Sequence, residues 1–261
     1  MCIRDSYKIL NLKALDPIEK TISAAEKGSL LHDVFDQFNR KYKKEIPDHA
    51  YDDFIQITTS MKDLYGFEES DWNFWLPRLS KISDWFIIHE KQWRQKSNLQ
   101  LSEAKGKITL NNNFTIEGRV DRIDIIDSNE AAIIDYKTGG TYSGNKIKNG
   151  KSPQLALEAL ITNKGGFDLQ TKEIGYLGYW KITGGEPAGK LIDITDNTEI
   201  AKIIDQTLEG LTNLVDKFNE EDTPYMAIPR LDNAPRFNDY EHLERVKEWA
   251  ALDNSIEGSA A

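Results

Sequence analysis

The chain has 261 residues, 39% hydrophobic and 29% charged, with a formal net charge of −10 at pH 7. This composition is typical of a folded globular protein and excludes an intrinsically disordered chain. A single cysteine excludes an internal disulfide framework and any four-cysteine zinc or iron–sulfur site. No apolar run reaches the about 18 residues that cross a bilayer, and no signal peptide is recognisable, so we expect a cytoplasmic protein without a membrane partner.

The beginning of the chain predicts a helical segment. The first six residues, MCIRDS, do not continue naturally into the text from Tyr7, and we expect a fragment of a larger protein with a non-native start. The first strong helix is predicted to begin at Gly28. Its apolar residues recur at three- and four-residue spacing, and His32 lies one residue off this stripe, where a histidine is usually a core or surface residue.

Two further helices are predicted, at Tyr51–Tyr65 and Asp71–Gln95. The longer one carries a stripe of tryptophan and aliphatic residues on one face. We interpret this stripe as core, because a surface that stacks nucleic-acid bases must be exposed.

A sheet is predicted next. A first strand containing Glu103 leads to a turn at residues 111–113, and two β-branched runs, Val120–Ile126 and Ala131–Tyr136, are separated by the turn-forming residues 127–129. The direction of Glu103 is open. It is either a further acid near a metal or an exposed strand residue, and we favour the exposed residue.

The strand pattern brings charged groups together. Successive strand residues point to opposite faces, so Asp135 and Lys137 share a face and Tyr136 takes the other. On the preceding strand, Asp121 and Asp124 point to opposite faces. If Asp121 and Asp135 converge, a cation must neutralise them, and oxygen ligands suit Mg²⁺ or Mn²⁺. Such a metal acidifies a water and polarises a phosphoryl oxygen, while Lys137 would position that water or offset charge on the phosphate.

The alternative for these three residues is a solvated face with weak surface ion pairs. Ile133 and Ile134 directly before Asp135 argue against it, because they predict a strand buried on both faces, where a carboxylate without a partner is costly.

The segment after Lys137 is interpreted as a loop. Residues 139–146 lack the Gly-Lys-Ser/Thr ending of a P-loop and indicate no ATP site. The loop is basic, and Lys146, Lys148 and Lys151 lie either near a DNA backbone or simply in solvent. Ser152 and Pro153 then begin a helix that carries Gln154. The remaining predictions are strands at 175–183 and 191–195, helices at 195–219 and 240–250, and a disordered tail at 252–261.

The motifs resemble those of a known family. Asp121, thirteen intervening residues and then Asp135-Tyr136-Lys137 resemble the PD-(D/E)xK nuclease signature. GRVDRID followed by IIDYKTG is similar to the RecB and AddB branch, and most similar to the C-terminal nuclease domain of AddB-type double-strand break repair proteins. In that branch a G-x-x-x-H helix supplies a histidine metal ligand, which matches Gly28 to His32, and a glutamine after the D-x-K strand approaches the active centre, which matches Gln154.

The resemblance covers about residues 7–249 and implies both fold and activity. The implied fold is α/β and restriction-endonuclease-like: a mixed sheet of four or five strands flanked by helices, in one domain over residues 1–251. Its added helical part covers about residues 28–97, and its catalytic sheet with flanking helices about residues 100–251. The implied activity is metal-dependent hydrolysis of DNA phosphodiester bonds during double-strand break end processing and recombinational repair.

The resemblance also implies roles for individual residues. Mg²⁺, or Mn²⁺ in its place, would be held by His32, Asp121, Asp135 and the Tyr136 carbonyl. Lys137 would assist the attacking water. Gln154 would hydrogen-bond the substrate phosphate or orient that lysine.

The implied partners are single-stranded DNA ends and an AddA-type helicase-nuclease, in the bacterial cytoplasm. Many AddB proteins carry four cluster-binding cysteines, whereas this chain has only Cys2, so no iron–sulfur cluster is expected. The helicase-like region that normally precedes the nuclease is not part of this sequence. Two alternatives remain: a non-catalytic interaction module that retains the nuclease fold, and a stand-alone Cas4-like exonuclease. The acids and lysine of the signature disfavour the first, and the absent cluster cysteines disfavour the second.

Overall fold

The computed structural model describes residues 9–13, 15, 22–110, 113–126, 129–140, 147, 152–194, 197–224, 240 and 243. The chain divides into two compact units, residues 21–216 and residues 1–20 with 217–261. In the second unit, the Tyr240 hydroxyl donates a hydrogen bond of 2.7 Å to the Leu12 carbonyl. The predicted loop lysines 146, 148 and 151, the tail, and most of the predicted last helix lie outside the described residues.

Three helices open the larger unit: α1 (Ala24–Lys41), α2 (Ala50–Ser60) and α3 (Glu69–Trp93). The predicted start of α1 at Gly28 is wrong, because Ser23 caps the helix earlier. The Ser23 hydroxyl accepts from the Glu26 amide at 3.2 Å, and the Glu26 carboxylate accepts from the Ser23 amide at 2.9 Å. This reciprocal pair satisfies two amides that a helix start otherwise leaves without partners.

The described strands form one mixed sheet in the order β1 (Ser97–Thr109), β2 (Thr115–Ile126), β3 (Ala131–Lys137), β4 (Ile174–Ile182) and β5 (Gly189–Asp193). Neighbouring strands are antiparallel except β3 and β4, which are parallel. A parallel pair needs a crossover, and α4 (Gln154–Asn163) lies within it. The helix α5 (Asn197–Asn219) follows β5. The predicted architecture is confirmed. No helix in the described part of the chain is both long and apolar enough to span a membrane.

Both faces of β3 are buried, as its uninterrupted apolar run predicts. Ala132, Ile134 and Tyr136 pack with the aromatic core formed by α1, α2 and α3. Ala131 and Ile133 belong to the other core, which α4 and α5 complete. Burying an apolar side chain contributes roughly 1.5–3 kcal/mol, so the two cores together hold this strand firmly in place.

A buried ionic cluster ties the helical face to β2 and β3. Arg122 is fully buried and donates two hydrogen bonds, of 2.8 and 2.7 Å, to Asp124 and a third to Glu90. The Tyr136 hydroxyl accepts from Arg122 and from Asn39, both at 3.2 Å. Because every one of these polar groups has a partner, the cluster fixes the residue between Asp135 and Lys137 from the helical side.

Candidate active site

Three side chains that can bind a metal converge where α1 approaches β1 and β2. The Nδ1 atom of His32 lies 3.3 Å from Oδ2 of Asp121 and 3.7 Å from Oε1 of Glu103. One ligand atom from each of the three residues lies within 4.8 Å of the other two. The Glu103 carboxylate also contacts Nε of Arg119, at 2.6 Å. These groups line a cleft of about 470 Å³ beside the first turns of α1.

The favoured prediction for Glu103, an exposed strand residue, is wrong. The β1–β2 register pairs Ser102 with Arg122 and Ala104 with Val120, so Glu103 lies opposite Asp121. Opposite residues of an antiparallel pair point to the same face. Glu103 also has a φ of 49°, a left-handed conformation that is uncommon for a residue with a side chain. Such an outlier is more frequent at functional sites than elsewhere.

The position of His32 depends on close packing of α1 against the end of β3. A Cβ atom built on Gly28 would lie 2.9 Å from Oγ1 of Thr138, the residue after Lys137. Glycine at this position therefore lets α1 pass close to the chain that leaves β3. His32 follows one helical turn later, on the same side of the helix, and reaches Asp121.

A second group of polar side chains lies around Asp135. The Nζ atom of Lys137 lies 2.9 Å from Oδ1 and 2.8 Å from Oδ2 of Asp135, and its well-aligned hydrogen bond goes to Oδ1. Lys137 also donates to Oε1 of Gln154 at 2.9 Å. The Gln154 amide in turn donates to Oδ1 of Asp135 at 2.5 Å. The three side chains therefore form a closed triangle of hydrogen bonds.

One backbone group joins the two sets of residues. The amide N–H of Tyr136 donates a hydrogen bond of 2.8 Å to Oδ2 of Asp121. Asp121 thus contacts His32 on one side and the backbone between Asp135 and Lys137 on the other. The fold thus brings His32, Asp121, Asp135, Lys137 and Gln154 together as two connected groups.

A comparison with family models identifies the superfamily of this chain. Residues 6–230 match the family model of the PD-(D/E)XK nuclease superfamily. The chain belongs to this superfamily. Its mixed five-strand sheet, flanked by helices and preceded by a helical segment, is consistent with the restriction-endonuclease-like fold of these nucleases.

Individual relatives of this chain are longer proteins. The chain is 27% identical over 263 residues to an uncharacterized protein of Rickettsia bellii, covering 92% of this chain and 31% of the relative. It is 26% identical over 292 residues to an uncharacterized protein of Rickettsia felis, covering 93% of this chain and 33% of that relative. It is 25% identical over 237 residues to one of the subunits of an ATP-dependent helicase/deoxyribonuclease of Clostridium perfringens, covering 78% and 20%. The chain thus spans about a third of the length of the rickettsial relatives that it matches.

The candidate site has strongly perturbed ionisation. Burial of the imidazole lowers the pKa of His32, but the carboxylates of Asp121 and Glu103 outweigh this effect and raise the pKa to about 10. Burial, together with the negative charge of Asp121, raises the pKa of Asp135 to about 7, although Lys137 opposes the shift. Burial also raises the pKa of Glu158, a residue one turn after Gln154, well above its usual range. The site therefore brings several acids together without enough nearby positive charge to neutralise all of them.

The donor set fits a hard divalent cation. The first group offers two carboxylates and an imidazole, and Asp135 contributes a buried carboxylate with one oxygen that lacks a well-aligned hydrogen bond among the described residues. Ligands of a shared Mg²⁺ lie at most about 4 Å apart, so the cluster would close slightly around the ion. The predicted Tyr136 carbonyl ligand stays a prediction.

Sequence reasoning missed one acid of the site altogether. Glu158 lies on α4 four residues after Gln154, and its Oε1 accepts from the Gln154 amide at 3.2 Å. The sequence of α4 could have indicated this residue. Residues four apart share a helix face, and Glu158 is an isolated acid in an otherwise mostly apolar helix.

Proposed function

We propose that this chain is a metal-dependent deoxyribonuclease domain that hydrolyses phosphodiester bonds of DNA. The observation that carries the proposal is the contact of Lys137 with both Asp135 and Gln154, beside a cluster of His32, Glu103 and Asp121. An ammonium group held next to several carboxylates is suited to phosphate chemistry, because phosphate cleavage develops negative charge that both a lysine and a cation can stabilise.

We propose that His32, Glu103, Asp121 and Asp135 hold the metal, with Mg²⁺ as the physiological ion and Mn²⁺ as a substitute. A divalent cation bound by them would polarise a phosphoryl oxygen and lower the pKa of a water. The imidazole must lose its proton to offer Nδ1 as a ligand, so metal binding and His32 ionisation are coupled.

Lys137 is the residue that we propose to act on the reacting atoms of the substrate. Its side chain is 23% exposed, so its ammonium can reach a substrate while still bonded to Asp135. It would donate a hydrogen bond to the attacking water and offset charge on the phosphate. Gln154 would hold Lys137 in place by accepting one of its three N–H bonds.

The DNA substrate and the cellular role are further parts of the proposal. The name of the clostridial relative describes an ATP-dependent helicase/deoxyribonuclease. This name supports action on single-stranded ends during double-strand break repair, with an AddA-type helicase-nuclease as partner. A net charge of −10 is unfavourable for DNA binding, and a partner would supply the missing affinity. The family match over residues 6–230 supports one nuclease domain at residues 1–251.

The proposal is tested with end-labelled single-stranded DNA and the purified chain. We expect cleavage that depends on Mg²⁺ and stops with EDTA. Asp135→Ala should lower the rate at least about a hundredfold, because a carboxylate of the metal site is lost. Asp205→Ala, at an exposed position on α5, is the matched control and should cleave like the wild type.

Two outcomes would contradict the nuclease proposal. The first is cleavage by Asp135→Ala at the wild-type rate, which would mean that a contaminating nuclease or another site does the work. The second is a wild-type chain that neither cleaves DNA nor binds Mn²⁺ in a calorimetric titration. That result would favour a non-catalytic module that keeps the nuclease fold.

A further inference from the structure

Glu158 is a buried acid that the proposed chemistry does not use. It lies in the middle of α4 and is only 3% exposed. Its Oε1 accepts a hydrogen bond of 3.2 Å from the Gln154 amide. Its Oε2 is buried and has no hydrogen-bond partner among the described residues.

Stability alone does not explain an acid at this position. The neighbouring buried residues of α4 are mostly apolar: Leu155, Ala156, Ala159, Leu160 and Ile161. A buried polar atom without a hydrogen bond destabilises the folded state. An apolar residue of similar size would remove this cost, so the acid is better explained by its contact with Gln154.

The Gln154 carboxamide is held by hydrogen bonds and not by packing. Gln154 is an exposed residue on the first turn of α4. Its NH₂ group has two N–H bonds, which are directed to Asp135 and to Glu158. Its oxygen is thereby left to face Lys137.

The contact with Glu158 does not depend on a metal. Asp135 is a proposed metal ligand, so its carboxylate would be shared between the ion and the Gln154 amide. Glu158 is not among the proposed ligands and would continue to accept from that amide. It can therefore hold the carboxamide orientation in the metal-bound state.

We propose that Glu158 is a positioning residue of the nuclease site, which holds the Gln154 carboxamide so that its oxygen faces the Lys137 ammonium. This inference rests on the proposed nuclease function. Glu158 acts through Gln154 and contacts neither the substrate nor the metal. Its loss should therefore impair the chemical step more than substrate binding.

Two variants separate positioning from a purely structural role. Glu158→Gln keeps the shape and an oxygen that accepts from Gln154, and should retain kcat within about twofold. Glu158→Met keeps a similar volume and removes the acceptor. It should lower kcat about tenfold with KM nearly unchanged, because one hydrogen bond of about 1–1.5 kcal/mol is lost. Thermal stability of Glu158→Met should stay equal or rise.

Dependence on Gln154 is tested in a double-mutant cycle. In a Gln154→Ala background, Glu158→Met should cause no further loss of kcat, because the residue through which it acts is gone. Three results would overturn the inference: wild-type kcat in Glu158→Met, an equal loss in Glu158→Gln, or a loss that persists undiminished in the Gln154→Ala background.

A readout independent of catalysis separates this inference from the nuclease proposal. In NMR spectra of the metal-free chain, the Gln154 side-chain NH₂ signals are identified by their loss in Gln154→Ala. Glu158→Met should shift one of these signals and speed its exchange with water, whereas Glu158→Gln should change them little. Unshifted signals in Glu158→Met would overturn the inference, even if the wild type cleaves DNA. Shifted signals in a chain without nuclease activity would support the contact and contradict the proposed function alone.

Discussion

The backbone amide of Tyr136 donates a hydrogen bond of 2.8 Å to the Asp121 carboxylate. This bond orients Asp121 with a group that cannot rotate, because Tyr136 is part of a strand buried on both faces. The Tyr136 side chain is fixed independently, since its hydroxyl accepts from Asn39 and Arg122. Tyr136 thus holds the carboxylate of Asp121. It also fixes the backbone that carries Asp135 and Lys137.

Glu103 should contribute to metal affinity. Glu103→Gln keeps the side-chain size but removes the negative charge of a proposed ligand beside His32 and Asp121. We expect Mn²⁺ affinity to fall at least about tenfold, a loss within the range seen when groups around protein metal sites are removed. Isothermal titration calorimetry measures it. Glu117→Gln, at an exposed position on β2, is the control. Equal Mn²⁺ affinities for Glu103→Gln and the wild type would remove Glu103 from the ligand set.

The pH dependence of stability should reveal the cost of burying Asp135. Its pKa rises from 3.8 to about 7 in the folded metal-free protein. The folded state then keeps a proton that the unfolded chain releases, so stability falls as pH rises from about 4 to about 7. Each pH unit by which the folded pKa exceeds the unfolded pKa corresponds to roughly 1.4 kcal/mol. Asp135→Asn cannot titrate, and in EDTA its melting temperature should fall less than that of the wild type between pH 5 and pH 8.

The matched control for this pH experiment is Asp205→Asn, at an exposed position on α5. It should follow the wild-type curve at every pH. A wild-type melting temperature that stays flat or increases relative to Asp135→Asn over this range would show that the Asp135 carboxyl ionises freely in the folded protein.

Close packing between Gly28 and Thr138 should be visible in stability. Alanine normally stabilises a helix interior over glycine by about 0.5–1 kcal/mol. Here the added Cβ would lie 2.9 Å from the Thr138 hydroxyl, so Gly28→Ala should destabilise the fold instead. Adding Thr138→Ala removes that oxygen and should restore stability. Urea denaturation of the two single variants and the double variant measures the coupling, and additivity within about 0.3 kcal/mol would contradict the packing argument.

Arg122 should be among the residues that the fold tolerates least when changed alone. Arg122→Met leaves Glu90 and Asp124 buried without their shared cation. Removing one partner of a buried ion pair typically costs about 3–5 kcal/mol, measurable by urea denaturation. Lys81→Met breaks an exposed pair with Glu186 and should cost less than about 1 kcal/mol. Similar costs for the two variants would mean that the Arg122 cluster is not the anchor of β3.

Much of this fold follows from local sequence patterns. The alternation of side chains around Asp135 predicted that Tyr136 and Lys137 lie on opposite faces. The apolar residues from Ala131 onward predicted that both faces of β3 are buried. Both features depend only on the two-residue period of a strand, which no distant contact can alter. The pairing of β2 with β3 follows from the short turn between them.

Other features depend on contacts that local patterns do not encode. Thr109 and Thr115 pair beside the turn between β1 and β2. Six positions from the turn along each strand lie Glu103 and Asp121, so hairpin register could have placed Glu103 near the site. Its left-handed backbone could not have been predicted in that way. The burial of Arg122 was also beyond reach, because its partner Glu90 comes from a helix far away in the chain.

In the proposed mechanism, Lys137 performs chemistry beside a metal that other residues hold. The most direct measurement compares Lys137→Met with the wild type in two assays, Mg²⁺-dependent cleavage of single-stranded DNA and calorimetric Mn²⁺ binding. We expect Lys137→Met to cleave at least about a hundredfold more slowly, with Mn²⁺ affinity unchanged within a few fold, since general acid–base and charge-stabilising groups contribute about 10²–10⁴ in rate. Cleavage at the wild-type rate by Lys137→Met would contradict it.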